Sequence, residues 1–230
     1  REIIPEAEDV LDGVNLVGGQ LIVEYMQDAW SVVKIFDLEG NQSGAVNLPG
    51  IGTASGFNGK SDDPETFFSY SSFNTPETIS RLDVSTGEVS IFKQPDVGFN
   101  PDDYVVEQVF YKSKDGTRVP MFISHLKSVT PDGKRPTMLY AYGGFNISLQ
   151  PSFSTTRLAW MEMGGIYAVA NLRGGGEYGV EWHKAGTKLQ KQNVFDDFIA
   201  ASEYLIESGY TNSDKLSIFG GSNGGLLVGA

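Results

Sequence analysis

The run Gly220-Gly221-Ser222-Asn223-Gly224-Gly225 lies between an apolar stretch at 215–219 and a second one, Leu226-Leu227-Val228. A G-x-S-x-G turn between a strand and a helix bends so tightly that the residues flanking the serine must lack side chains, and it presents the hydroxyl at the tip of a sheet. Ser222 is therefore the candidate nucleophile for acyl transfer, with the start of the next helix favouring the negative charge that develops on attack. The alternative is a Gly-rich turn with an incidental serine; the strand before, the helix after and four glycines around one serine weigh against it. A phosphate loop is excluded because no Gly-Lys-Ser/Thr follows.

Acyl transfer also needs donors aimed at the oxyanion, and the first is the backbone N–H of the residue after the nucleophile, Asn223. The second should come from the loop after the third strand of the domain, which begins at Tyr142-Gly143-Gly144-Phe145-Asn146, where paired glycines let backbone approach a ligand. Taken alone, that run is more often a plain strand-end turn; its position at the third strand of a chain that also has an elbow after the fifth favours the functional reading. A further glycine loop, Arg173-Gly174-Gly175-Gly176-Glu177-Tyr178-Gly179, contains G-x-G-x-x-G, but no amphipathic helix is expected to open directly on it, so a dinucleotide fold is rejected and the loop is read as packing beneath the site. The two histidines, His125 at a strand end and His183 in a loop, both precede Ser222, while only eight residues follow it. The order in α/β-hydrolases is serine, acid, histidine, so both histidines are read as structural, and the acid and base are expected beyond Ala230.

The elements that would carry these residues change character along the chain. Over 1–97, short runs at 20–26, 31–37, 45–48, 66–72, 78–83 and 88–92 read as strands separated by Gly, Asn, Asp and Pro, with no helix between them. Ile35-Phe36-Asp37-Leu38-Glu39-Gly40 recurs as Arg81-Leu82-Asp83-Val84-Ser85-Thr86-Gly87, a spacing of 46 residues that suits the blades of a β-propeller. Two four-stranded blades fit, a closed propeller needs more, and a small β-sandwich stays open as the alternative. After a linker at Pro95–Pro101, residues 98–230 read as a hairpin (105–111 and 118–125 across Ser113-Lys114-Asp115-Gly116), then alternating strands (137–142, 166–171, 215–219) and helices (154–163, 194–207). The last helix takes Asn193 as its N-cap and presents Phe195, Phe198, Ile199, Ser202, Leu205 and Ile206 on one face. The fold class is α/β: a mixed, mostly parallel sheet covered on both faces, preceded by propeller blades.

The chain has 230 residues, 40% hydrophobic and 20% charged, with a formal net charge of −12. That charge argues against nucleic acid or anionic membrane as partners, and no apolar run approaches a membrane span. With no cysteine there is no disulfide, thiolate metal ligand or thiol nucleophile within these residues, which suits a reducing cytosol. The chain starts without Met, and both of its ends look cut.

In the four runs 142–146, 173–179, Trp182-His183-Lys184 and 220–225 the sequence resembles the prolyl oligopeptidase family, closely over 98–230 and more loosely over 1–97. The resemblance implies a partial α/β-hydrolase domain after the last blades of a propeller. It implies a cytoplasmic serine endopeptidase that cleaves short peptides after proline through an acyl-enzyme, needs no metal or cofactor, and is a monomer when complete. Carried onto this sequence, Ser222 resembles the nucleophile, Tyr142 an oxyanion donor through its phenol hydroxyl, Asn223 the second donor, and Phe145 with Asn223 part of the proline pocket. Asn223 favours the proline-specific branch over the branch that cleaves after basic residues, which has alanine there. The isolated piece is expected to be inactive. Acylaminoacyl- and dipeptidyl-peptidase types, and a non-catalytic peptide-binding protein, stay open as alternatives.

Overall fold

A computed structural model describes residues 2–230. The chain divides into two compact units, one formed by residues up to Phe99 together with 150–153, the other by 100–149 and 154–230.

The first unit is two four-stranded antiparallel meanders, β1 (Val10–Val17), β2 (Gln20–Gln27), β3 (Trp30–Phe36) and β4 (Gln42–Ala45), then β5 (Thr53–Asn58), β6 (Glu65–Ser71), β7 (Thr78–Asp83) and β8 (Val89–Lys93). Each strand pairs with its neighbour in sequence, as in propeller blades, and both sheets are open. Their facing residues, among them Ile22, Ile35, Phe57, Phe68 and Leu82, form one core, with the Phe57 and Phe68 rings stacked at 4.6 Å. The 46-residue repeat falls on the β3–β4 and β7–β8 turns. In each, the strand-end aspartate folds back on the turn: Asp37 Oδ1 accepts from the N–H groups of Glu39 and Asn41, and Asp83 Oδ1 from those of Ser85 and Thr86. Two strands, β1 and β5, lie outside the runs read from sequence, and the run expected at 45–48 forms at Gln42–Ala45 instead.

The second unit carries β9 (Tyr104–Lys112), β10 (Arg118–Leu126), β11 (Thr137–Ala141), α1 (Thr155–Glu162), β12 (Ile166–Ala170), α2 (Gly179–Lys184), α3 (Gln192–Glu207), β13 (Leu216–Phe219) and α4 (Asn223–Gly229). The strand order is β13-β11-β12-β10-β9, with β13, β11 and β12 parallel and the β9–β10 hairpin antiparallel at one side. β12 is buried along its length, as a strand covered on both faces is, whereas β11 alternates buried and half-buried residues and β13 is mostly exposed, so the expected cover on both faces does not extend to that side. Leu139, Ile166, Ala168 and Ala170 are fully buried with Val194, Ala201 and Leu205 of α3. This is the start of an α/β-hydrolase sheet.

Three helix readings need correction. α3 begins at Gln192 rather than at an Asn193 cap: a one-turn 3₁₀ segment at Lys188–Gln190 leads straight into it, and Asn193 Nδ2 donates to Ala185 O at 2.9 Å. Its buried face is Val194, Asp197, Phe198, Ala201 and Leu205, whereas Ile199 and Ile206 are exposed. A six-residue helix, α2, does open at Gly179, so His183 sits on a helix and not in a loop. The dinucleotide reading fails for a different reason: Gly174, Gly175 and Gly176 are buried, so their backbone cannot approach a pyrophosphate.

Candidate active site

Register brings the candidate residues together. In the parallel pairings Tyr140 lies beside Phe219 of β13 and Ala141 beside Ala170 of β12, so the loops starting at Tyr142, Asn171 and Gly220 all leave the carboxyl end of the sheet at one level. Open α/β sheets bind ligands at that end.

The turn 220–224 has the geometry of a nucleophile elbow. Ser222 is exposed and held at φ 53°, ψ −117°, a conformation that costs a non-glycine residue on the order of 1–3 kcal/mol and persists only where its surroundings enforce it. The flanking glycines enforce it. A Cβ on Gly220 would lie 2.2 Å from Gly224 O, and one on Gly224 would lie 2.6 Å from Ala141 O, so neither position two residues from the serine admits a side chain. Asn223 ties this turn to the loop after β11, its Nδ2 donating to Tyr142 O at 2.6 Å. That amide fills the space over Gly144, where a Cβ would stand 2.5 Å from Nδ2.

The loop after β11 is itself bent. Gly143, Phe145 and Asn146 have positive φ, and Phe145 projects with 74% of its surface exposed, while Tyr142 is half-buried. Lys191 Nζ donates to Gly143 O at 2.8 Å, and burial lowers the Lys191 pKa. The structure thus places Tyr142, Ser222 and Asn223 on adjoining turns, with Phe145 three residues along the same loop. Neither histidine contacts Ser222: His125 Nδ1 lies 2.8 Å from Leu126 O, and His183 Nδ1 lies 2.8 Å from Gly174 O and 3.1 Å from the N–H of Asn146, in the loop after β11.

Beneath these turns lies a layer of buried polar residues that sequence reasoning did not single out. Arg173 spans three elements: Nη2 donates to Asp197 Oδ1 of α3 at 2.6 Å and to Ser113 Oγ at 3.2 Å, and Nη1 donates to Asp115 Oδ2 of the β9–β10 turn at 2.6 Å. The Arg173 guanidinium holds the Asp115 carboxyl down at about 2. Four residues on, burial pushes the Glu177 carboxyl up to about 7, against the donors Leu149 N–H and Asn171 Nδ2, both on Oε1. The Arg-Gly-Gly-Gly-Glu run was visible as a motif, but only tertiary contacts reveal that both charged ends point inward.

A strained, exposed serine between glycines at the carboxyl end of a parallel sheet defines the class as α/β-hydrolase. The sequence model of the prolyl oligopeptidase family matches residues 151–230, and that of the prolyl oligopeptidase N-terminal β-propeller domain matches residues 1–95. The chain belongs to the prolyl oligopeptidase family. It is 53% identical over 230 residues to the prolyl endopeptidase of Elizabethkingia meningoseptica, covering 100% of this chain and 32% of the relative. It is 43% identical to that of Dictyostelium discoideum, covering 100% and 31%. Among solved structures, a prolyl endopeptidase studied for inter-domain dynamics superposes with a TM-score of 0.93 at 51% identity, covering 100% of this chain and 34% of that one. Prolyl oligopeptidase B of Galerina marginata, bound to a 25mer macrocyclization substrate, gives 0.92 at 40% identity, covering 99% and 32%. The chain therefore spans about a third of the length of the curated relatives it matches.

Proposed function

We propose that these residues are the nucleophile-bearing part of a serine endopeptidase that hydrolyses short peptides after proline. The observation that carries this is the backbone of Ser222, bent to φ 53° between two glycines that admit no side chain. Ser222 Oγ attacks the carbonyl that follows proline, and a histidine supplied from outside these 230 residues takes its proton. The oxyanion is bound by the Asn223 N–H and the Tyr142 phenol, the proline ring rests against Phe145, and water then releases the acyl group. No step needs a metal or organic cofactor. The same reading takes residues 1–97 as the last blades of a propeller and 98–230 as the beginning of the peptidase domain, in a monomeric, cytoplasmic protein. The absence of cysteine within these residues suits a reducing cytosol.

The experiment is hydrolysis of a blocked Gly-Pro-anilide against an Arg-Arg-anilide by the full-length protein. Turnover of the proline substrate, reduced on the order of a millionfold by Ser222→Ala, is expected. A preference for arginine would move the protein to the basic-specific branch, and no turnover of either would reject the enzyme. Tyr142→Phe should lower kcat by about 10²- to 10³-fold if its phenol binds the oxyanion, and an unchanged rate would remove it from that role.

A further inference from the structure

Leu149, at the far end of the loop that begins with Tyr142, has both of its backbone polar groups held by side chains. Its N–H donates to Glu177 Oε1 at 2.9 Å, and its carbonyl accepts from Asn171 Nδ2 at 2.7 Å. The same Nδ2 donates to Glu177 Oε1 at 3.2 Å. The Leu149 carbonyl fixes which way the Asn171 amide points, since a flip would set oxygen against oxygen. Two buried acceptors are then left over, Asn171 Oδ1 and Glu177 Oε2. Each costs about 1–3 kcal/mol if no donor reaches it.

These two atoms are the complementary halves of one arrangement. A carboxylic acid and a primary amide pair through two bonds, amide N–H to one carboxyl oxygen and carboxyl O–H to the amide oxygen, and the first of these is already in place. We propose that Glu177 and Asn171 share a proton donated from Glu177 Oε2 to Asn171 Oδ1, and that this acid–amide pair is the positioning clamp for the loop carrying Tyr142 and Phe145. One proton satisfies both orphaned atoms at once. It also fits the tightness of the site: Glu177 is 2% exposed, Asn171 is fully buried, and a Cβ on Gly175 would lie 2.1 Å from Oε2, so the carboxyl fills the space beneath that glycine.

The other ionisable groups on the surrounding elements are committed elsewhere. Arg173 faces Asp197 and Asp115, His183 of α2 faces Gly174 O and the N–H of Asn146, Lys191 faces Gly143 O, and Glu181 pairs with Lys184. The indole N–H of Trp182, near the carboxyl, is directed to Leu172 O at 3.1 Å. Burial without a positive partner disfavours the carboxylate, in line with the raised Glu177 pKa.

The positioning half of the proposal rests on the function proposed above, whereas the proton itself is observable without catalysis. In the full-length protein at mildly acid pH, infrared difference spectra between the parent and Glu177→Gln should show the carbonyl stretch of a buried protonated carboxyl in the parent alone; its absence overturns the proposal. Glu177→Gln supplies an N–H in place of the O–H and should keep the parent's KM for the proline anilide. Glu177→Leu, which strands Leu149 N–H and Asn171, should raise KM about tenfold with kcat less affected. Failure of glutamine to rescue, or a fall in Tm for leucine with KM unchanged, overturns the clamp. If the parent hydrolyses no substrate, the functional reading fails, and the infrared band still decides the proton.

Discussion

Ser222 stands exposed in a turn bent to φ 53°, whereas the neighbouring turn at 173–177 is buried from end to end and its charged side chains bond inward. Both turns leave the same end of the sheet, and both are glycine-rich. In the first, the glycines exclude side chains so that a reactive hydroxyl can be held outward. In the second, they let the chain pass close beneath another loop: a Cβ on Gly174 would lie 2.9 Å from Gly143 O, and one on Gly176 would lie 2.8 Å from Asn146 O. The same residue type serves exposure in one turn and support in the other. The difference shows that a site's chemistry and its rigidity can be carried by separate segments.

Three perturbations would break or sharpen this contrast. The largest effect is expected from Gly224→Ala in the full-length protein, because the added methyl would press on Ala141 O and push the Asn223 N–H out of place. Activity should fall at least as far as on loss of an oxyanion donor, about 10²- to 10³-fold, more than the roughly 1–3 kcal/mol of stability that overpacking this buried position costs would explain. A variant that melts early but turns over normally would place the glycine in support instead. Arg173→Met should do the reverse. It leaves the fully buried Asp197 without its partner and should cost about 3–5 kcal/mol in denaturant unfolding; a loss below about 1 kcal/mol would mean that the layer is not supporting anything.

The smallest effect is in pH dependence. The Glu177 carboxyl, raised from 4.5 to about 7, keeps its proton in the folded chain after the unfolded chain has lost it. The folded state therefore binds more protons across that window, and stability should fall by up to about 3 kcal/mol as pH rises through it, then level off. Asp83 and Asp115, each lowered from 3.8 to about 2, act in the opposite sense at the acid end, their contribution present above pH 3.8 and lost as pH falls towards about 2. Melting curves collected across this range should show both limbs. Glu177→Gln should abolish the upper limb alone, and its persistence would assign it to another group.

The contrast also marks what could be read from sequence. The elbow was legible because a strand, a tight glycine turn and an apolar helix are local patterns, and the meanders were legible because each strand pairs with the next. β1 and β5 were not, and the reason is physical. β1 has a break in register between Leu11 and Gly13, and β5 has one between Gly56 and Asn58, so neither keeps the two-residue alternation that announces a strand. α2 escaped notice because it has only six residues and opens on Gly179 at φ 77°. Ile199 and Ile206 were assigned to the buried face of α3 from apolarity alone, yet that face contains Asp197, an inward charge that only its pairing with Arg173 makes tolerable. The roles of Arg173 and Glu177 depend on partners 24 and 28 residues away, Asp197 and Leu149, and no local pattern announces them.

The two broken registers have a further consequence. β1 and β5 each form one edge of their sheet, the place where an open row of N–H and C=O groups can template a foreign strand. The extra residue in each strand puts its outward groups out of step with any straight intruder. On those edges the bulged backbone itself works against pairing with a straight strand.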